Sequence, residues 1–285
     1  SENVAIGHGA LGVEDAHGRN VAIGYAALSS QDAGADAYNV AVGFDAGGAV
    51  STGTQNTIVG GLAGDALTTG SDNVAVGYLA LSTEDGNGRN VAIGKGALQS
   101  LNAGADAYNI AIGYNTGLDV STGTNNILIG GNNGVSLTTG SDNVAIGKAA
   151  LATEDGHGRN VAIGSGALYY LNAGLDAQNV AVGYNAGTVM TTGSYNVLLG
   201  GECGDALTTG ARNIAIGFRA LGAEDAHGRN IAIGYNALTA QDAGAEAYNV
   251  AIGYDTGKAV TTGVSNTFLG AQAGDAITTA GYSVA

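Results

Sequence analysis

A short phrase, Asn followed by Val-Ala-Ile-Gly or a close variant, returns sixteen times along this chain without a slip of register. Its asparagines are Asn3, Asn20, Asn39, Asn56, Asn73, Asn90, Asn109, Asn126, Asn143, Asn160, Asn179, Asn196, Asn213, Asn230, Asn249 and Asn266. Their spacing runs 17, 19, 17 and 17 residues and then starts again, which divides the chain into four super-repeats, 3–72, 73–142, 143–212 and 213–282. Self-similarity at a short fixed period is the mark of a solenoid, in which each unit buries its apolar groups only by stacking on the next. Within the phrase the period is two, Val4 and Ile6 against Ala5, and Gly7 ends the run, so it reads as a short strand and a turn. Seventeen residues are too few for a strand–helix–strand unit and too many for a plain hairpin, but they suit one rung of a parallel β-helix. The expected fold is therefore all-β, a single parallel β-solenoid of 16 coils in four 70-residue super-repeats.

Composition removes the alternatives. With 51 Gly the chain is a poor helix former, and with no Pro and no Gly-X-Y period it is not collagen. A hydrophobic fraction of 45% set at fixed places argues against disorder. The net charge of −15, with only 9 basic residues spread along the chain, argues against a nucleic-acid partner, which needs clustered Lys and Arg. Cys203 is the sole cysteine, so no intrachain disulfide forms, and a small buried hydrophobe is its expected role. No apolar run is long enough to insert into a membrane. The chain starts two residues before one repeat and stops just after another would begin, as a fragment of a longer protein would.

Each asparagine amide is expected to bond backbone and its equivalent one rung away, forming a structural ladder, and the glycine after each strand to adopt a conformation that a β-carbon disfavours. The coils of a super-repeat differ in kind. The first two carry an Ala-Leu pair (Ala10-Leu11, Ala27-Leu28), whereas the third and fourth carry an aliphatic before a Thr-Gly turn, as in Val50-Ser51-Thr52-Gly53 and Leu67-Thr68-Thr69-Gly70. Where other coils place Ala between two aliphatics, the fourth has Ile58, Leu128, Leu198 and Phe268. With Val59, Ile129, Leu199 and Leu269 taken as inward, strand alternation points these four outward, and a homo-oligomer interface, a trimer, is expected along them.

At these residues the chain resembles known repeats. Asn-Val-Ala-Ile-Gly is similar to the Ser-Val-Ala-Ile-Gly repeats in the heads of trimeric autotransporter adhesins of the YadA type. Asn20-Val21-Ala22-Ile23-Gly24-Tyr25-Ala26-Ala27-Leu28 resembles the Asn-Thr-Ala-Ile-Gly-Tyr-x-Ala-Leu repeats of phage tail fibres, as does Asn230-Ile231-Ala232-Ile233-Gly234-Tyr235-Asn236-Ala237-Leu238. The resemblance spans essentially the whole chain. It implies a left-handed β-roll assembled as a homotrimer, a structural segment for host or surface attachment on a virion or at the cell surface. The adhesin heads use shorter coils, which favours the phage-fibre branch, with a glycan- or protein-binding bacterial adhesin as the alternative. The 70-residue super-repeat belongs to neither phrase.

Candidate chemistry sits in one recurring turn, Glu14-Asp15-Ala16-His17-Gly18-Arg19, which returns with Glu84-Asp85, Glu154-Asp155 and Glu224-Asp225. Its paired carboxylates suit calcium through oxygen ligands, with Asp72 or Asp142 nearby; the competing account is an Arg–carboxylate pair that pins the loop. His is replaced by Asn87 in one of the four turns, which argues against a zinc or acid–base role that requires it. Equal copies along a repeat also argue against catalysis, which needs convergent groups in one pocket. Two aromatic rows complete the inventory: Tyr25, Phe44, Tyr78, Tyr114, Tyr184, Phe218, Tyr235 and Tyr254 after the turn glycine, and Tyr38, Tyr108 and Tyr248 closing the 19-residue coils. They are expected to pack on neighbouring rungs or to stack on sugars. Ice binding through threonine rows is a third alternative, weakened because the threonines lie at turns.

Overall fold

The computed structural model describes residues 2–14, 18–86, 88–224 and 226–285, in two compact units, Ser1–Asp142 and Asn143–Ala285. The boundary falls where the second super-repeat ends. The first unit stacks β1 (Val4–Ile6), β2 (Val21–Ile23), β3 (Val40–Val42), β4 (Thr57–Val59), β5 (Val74–Val76), β6 (Val91–Ile93), β7 (Ile110–Ile112) and β8 (Ile127–Ile129). The second stacks β9 (Val144–Ile146), β10 (Val161–Ile163), β11 (Val180–Val182), β12 (Val197–Leu199), β13 (Ile214–Ile216), β14 (Ile231–Ile233), β15 (Val250–Ile252) and β16 (Thr267–Leu269). Within each unit every strand pairs in parallel with the next in sequence, like residue over like: Val4 over Val21, Ala5 over Ala22, Ile6 over Ile23. The fold is thus a parallel β-solenoid, and the described residues hold no helix.

Strands of three residues cannot hold such a structure alone. Rung-to-rung hydrogen bonds continue around the coil, from Leu28 N to Ala46 O (3.1 Å), Asp32 N to Ser51 O (2.8 Å) and Gln55 N to Ala37 O (2.7 Å). Turn hydroxyls join in: Ser51 Oγ donates to Thr68 O (3.1 Å) and Thr68 Oγ1 to Asp85 O (2.6 Å). The glycine that ends each strand makes the corner possible. Gly60 has φ +135°, and a β-carbon there would lie 2.6 Å from the Gly77 carbonyl oxygen of the next rung, so no side chain fits.

The faces of the strand are the reverse of the sequence expectation. The central alanines (Ala22, Ala41, Ala75, Ala92, Ala111) are fully buried, and the flanking valines and isoleucines look outward, partly exposed. Ile58, Leu128, Leu198 and Phe268 share the alanine position and are fully buried inside the coil. They therefore do not form the outward interface expected of them.

The reason is an exchange of volume. Eight residues after the ladder asparagine, the first two coils place Leu, such as Leu28, whereas the third and fourth place Gly47 and Gly64. Those glycines leave a space that Ile58 fills, since a β-carbon on Gly47 would come within 2.8 Å of Ile58 Cδ1, and one on Gly64 within 3.4 Å. Phe268 stands in the same relation to Gly257 and Gly274. The interior is narrow, so each rung admits one large side chain at either place and a small one at the other.

Leu128→Ala should leave a cavity beside Gly117 and Gly134, costing about 2–5 kcal/mol, read as a fall in the urea midpoint. A midpoint equal to that of the parent would mean that Leu128 is not a core residue.

Candidate functional site

The asparagine ladder is present in both units. In the first, each side-chain oxygen accepts the backbone N–H of the asparagine one rung on, at 2.8–3.1 Å. In the second the same bonds measure 2.9–3.2 Å and end on Ser283 N. In most rungs the Nδ2 group donates across the coil to the carbonyl fourteen residues later, as from Asn39 to Gly53 O (2.7 Å) and Asn56 to Gly70 O (2.8 Å), whereas in the longer second coils Asn90 and Asn160 donate to Gly88 O and Gly158 O (both 3.2 Å). One amide thus closes its own rung and fastens the next. Direct amide-to-amide bonds join Asn90 to Asn73 (3.4 Å) and Asn196 to Asn179 (3.2 Å).

Eleven residues after each ladder asparagine the chain again points inward. In the second unit Leu171, Met190, Leu207, Gln241 and Val260 occupy this position, all fully buried, and so do Glu154 and Glu224. In the first unit Glu84 is buried among Gln31, Val50, Leu67 and Leu101 at the same position, and Glu14 is half-buried. The two carboxylates of each turn are therefore unlike: Glu84 and Glu154 go inside, and Asp85 and Asp155 stay exposed. Asp15, His17, Asn87 and Asp225 lie outside the described residues.

Burial without full compensation marks Glu154. Neither carboxylate oxygen has a hydrogen bond of ordinary geometry. Burial pushes its carboxyl up to about 7, the nearby amides of Ala173 and His157 offsetting this only in part. His157 Nδ1, itself without a hydrogen bond, faces Glu154 Oε1 at 3.8 Å. One super-repeat later His227 Nδ1 faces Glu224 Oε1 at 3.5 Å, and the His227 amide donates to the same oxygen at 3.1 Å. Among the described residues, two groups of three metal-ligand side chains bring their donor atoms within 4.8 Å of one another: Glu154, Asp155 and His157, and Glu224, His227 and Asp242. Asp72 is engaged elsewhere, 3.7 Å from Arg89.

The arginine that closes each turn does pair with a carboxylate, but one on the next rung. Arg19 meets Asp36 (3.3 Å), Arg159 meets Asp176 (2.8 Å), Arg229 meets Glu246 (2.7 Å), and Arg89 meets Asp106. Arg19, Arg89 and Arg229 also lie over and hydrogen-bond Tyr38, Tyr108 and Tyr248. These groups are about half exposed, so each pair adds little to stability and mainly sets the path of the longer coil.

Five of the eight aromatics after the turn glycine stack from rung to rung. His8, Tyr25 and Phe44 lie face to face with centroids 5.3 Å apart, and Phe218, Tyr235 and Tyr254 repeat the pattern at 5.6 and 5.4 Å. They remain roughly half exposed, Tyr25 at 54% and Tyr254 at 54%, so rung packing and display coexist. No family model, curated protein or solved structure matches the chain.

Cys203 fills the small inward position between Ala186 and Ala220, with its thiol 3.0 Å from Gly200 O. Burial pushes the thiol up to about 12, so almost no thiolate forms at neutral pH. Iodoacetamide at pH 8 should leave the native chain unlabelled and modify it fully in denaturant; rapid native labelling would place Cys203 at the surface.

Proposed function

We propose that this chain is a structural fibre segment, a stack of rungs that associates with copies of itself at a virion or cell surface and serves attachment. The observation that carries this reading is the outward strand face. In each unit it presents two parallel columns of β-branched side chains, partly exposed and in register, as in Val21 over Val40 and Ile23 over Val42. Ile112 and Ile252 are 37% and 36% exposed on it. A continuous apolar strip on an otherwise acidic chain is a surface that gains by being covered. A second copy offers an identical strip with the same rung spacing, so knobs and gaps match along the whole contact. The resemblance to trimeric adhesin heads and phage fibres supports closed three-fold association, which leaves no end of the interface open.

The aromatic stacks favour a receptor-facing role in addition. A row of half-exposed rings at rung spacing suits stacking on successive sugars of a glycan. The ice-binding alternative draws no comparable support, because turn hydroxyls such as Ser51 Oγ and Thr68 Oγ1 donate to carbonyls of the next rung. Flat hydroxyl rows free for water are what that activity would need.

Sedimentation velocity should give a particle of three chains, and the double variant Ile112→Lys/Ile252→Lys should run as one chain with an unchanged circular dichroism spectrum. A parent that sediments as a monomer at micromolar concentration would sink the proposal.

A further inference from the structure

The interior position eleven residues after the ladder asparagine holds an aliphatic side chain or Met in most rungs and a neutral amide at Gln31 and Gln241, so a charged Glu is the costly occupant there. Placing a carboxylate there without full hydrogen bonding is unfavourable unless something neutralises it. In the second unit a histidine three residues on points its Nδ1 at that carboxylate both times. We propose that Glu154, Asp155 and His157, and separately Glu224, His227 and Asp242, each bind a first-row divalent metal ion of zinc's preference for mixed nitrogen and oxygen donors.

Glu154 is the independent sign of a ligand, because its side chain is fully buried, neither oxygen has a hydrogen bond of ordinary geometry, and it faces an imidazole nitrogen that also lacks one. At 3.8 Å the carboxyl and the imidazole are too far apart to share a proton in a hydrogen bond, but an ion between them would satisfy both. Tetrahedral zinc with bonds of about 2.0–2.2 Å sets its donors roughly 3.3 Å apart. The 3.5 Å between His227 Nδ1 and Glu224 Oε1 is nearly that, and the 3.8 Å at Glu154 needs a closure of a few tenths of an ångström. The third donor comes from a different place in each cluster, Asp155 of the same turn in one and Asp242 of the following rung in the other. The recurrence therefore belongs to the Glu–His pair, and the exposed carboxylate completes it from whichever side is near.

Calcium fits less well. It takes six to eight oxygen donors, whereas these clusters offer two carboxylates and a nitrogen. His157 and His227 are 34% and 27% exposed in their side chains, which gives an ion a way in and leaves a coordination position for water. The carbonyls of the same two residues accept Nδ2 of Asn143 (3.4 Å) and Asn213 (3.2 Å), so a bound ion would lock the corner at which the ladder closes its rung.

The full chain, stripped with chelator, is titrated calorimetrically with zinc chloride, and with calcium chloride in parallel. Saturable zinc binding is expected, with a rise in melting temperature that calcium does not produce. Glu154→Leu/Glu224→Leu puts the natural occupant of Leu171 and Leu207 at both positions, so it keeps the fold and should lose two zinc ions per chain relative to the parent. His157→Gln/His227→Gln should lose the same two with an unchanged circular dichroism spectrum. Absence of saturable zinc binding, tighter binding of calcium, or unchanged stoichiometry in the Glu→Leu variant would each overturn the proposal. The parent's assembly state is measured alongside, so that a failed fibre reading and a failed metal reading are told apart.

Discussion

Everything in this molecule depends on one buried amide per rung that bonds along the stack and, in most rungs, across the coil. The oxygen of each ladder asparagine takes the backbone N–H of the next asparagine along the stack, and in most rungs its nitrogen reaches across the coil to the far turn. A rung with one three-residue strand has too little sheet to define its own width. The transverse bond fixes that width, and the axial bond fixes the offset to the following rung. Because the amides are buried, losing one partner would leave a polar group stranded, so the ladder is held by the cost of leaving it as much as by the bonds made. Aspartate could accept but not donate, and serine is too short to span the coil, which explains why one residue type holds the position throughout.

A fixed width dictates the packing. The interior is lined by small side chains, with alanine at the strand centre and in the following turn. Each super-repeat then moves its large residue from one wall to the other, Leu28 opposite alanine in one coil, Ile58 opposite glycine in another. The 70-residue period is the length over which this alternation, together with the longer second coil, returns to its start.

The rung count, the parallel stacking, the asparagine ladder and the strand-ending glycine were all legible in the sequence, because each is a statement about spacing. Orientation was not legible from spacing alone. Alternation shows that Ala22 and Ile23 face opposite ways but not which is inside, and a preference for burying the larger residue gives the wrong sign when the coil is too narrow to hold it. The sign was available from a second comparison, the glycines at positions 47 and 64 set against Ile58, since missing volume and added volume must lie on the same side. The buried glutamates were hidden by a similar choice of frame. Read as the loop Glu-Asp-x-His-Gly-Arg, they look like surface acid; counted from the ladder asparagine, Glu154 takes the place of Val50 and Leu67. The rung-to-rung pairing of Arg19 with Asp36 and Tyr38 needs the register itself, which no local motif contains.

A repeat lattice makes such departures informative. When the same interior position holds leucine, valine or methionine in most rungs and a hydrogen-bonded glutamine in two, a carboxylate there is not drift at a tolerant surface site, since every one of these occupants is buried. The glutamate returns once in each super-repeat, always in the first coil. At Glu84, where the residue three positions on is Asn87 and not histidine, the Ala103 amide approaches the carboxylate at 3.5 Å. At Glu154 the amides of Ala173 and His157 lie near the carboxylate, but neither oxygen has a hydrogen bond of ordinary geometry, and the imidazole stands in front of them. The lattice thus holds one buried acid in two settings, and in the second unit it sets an imidazole nitrogen beside that acid both times.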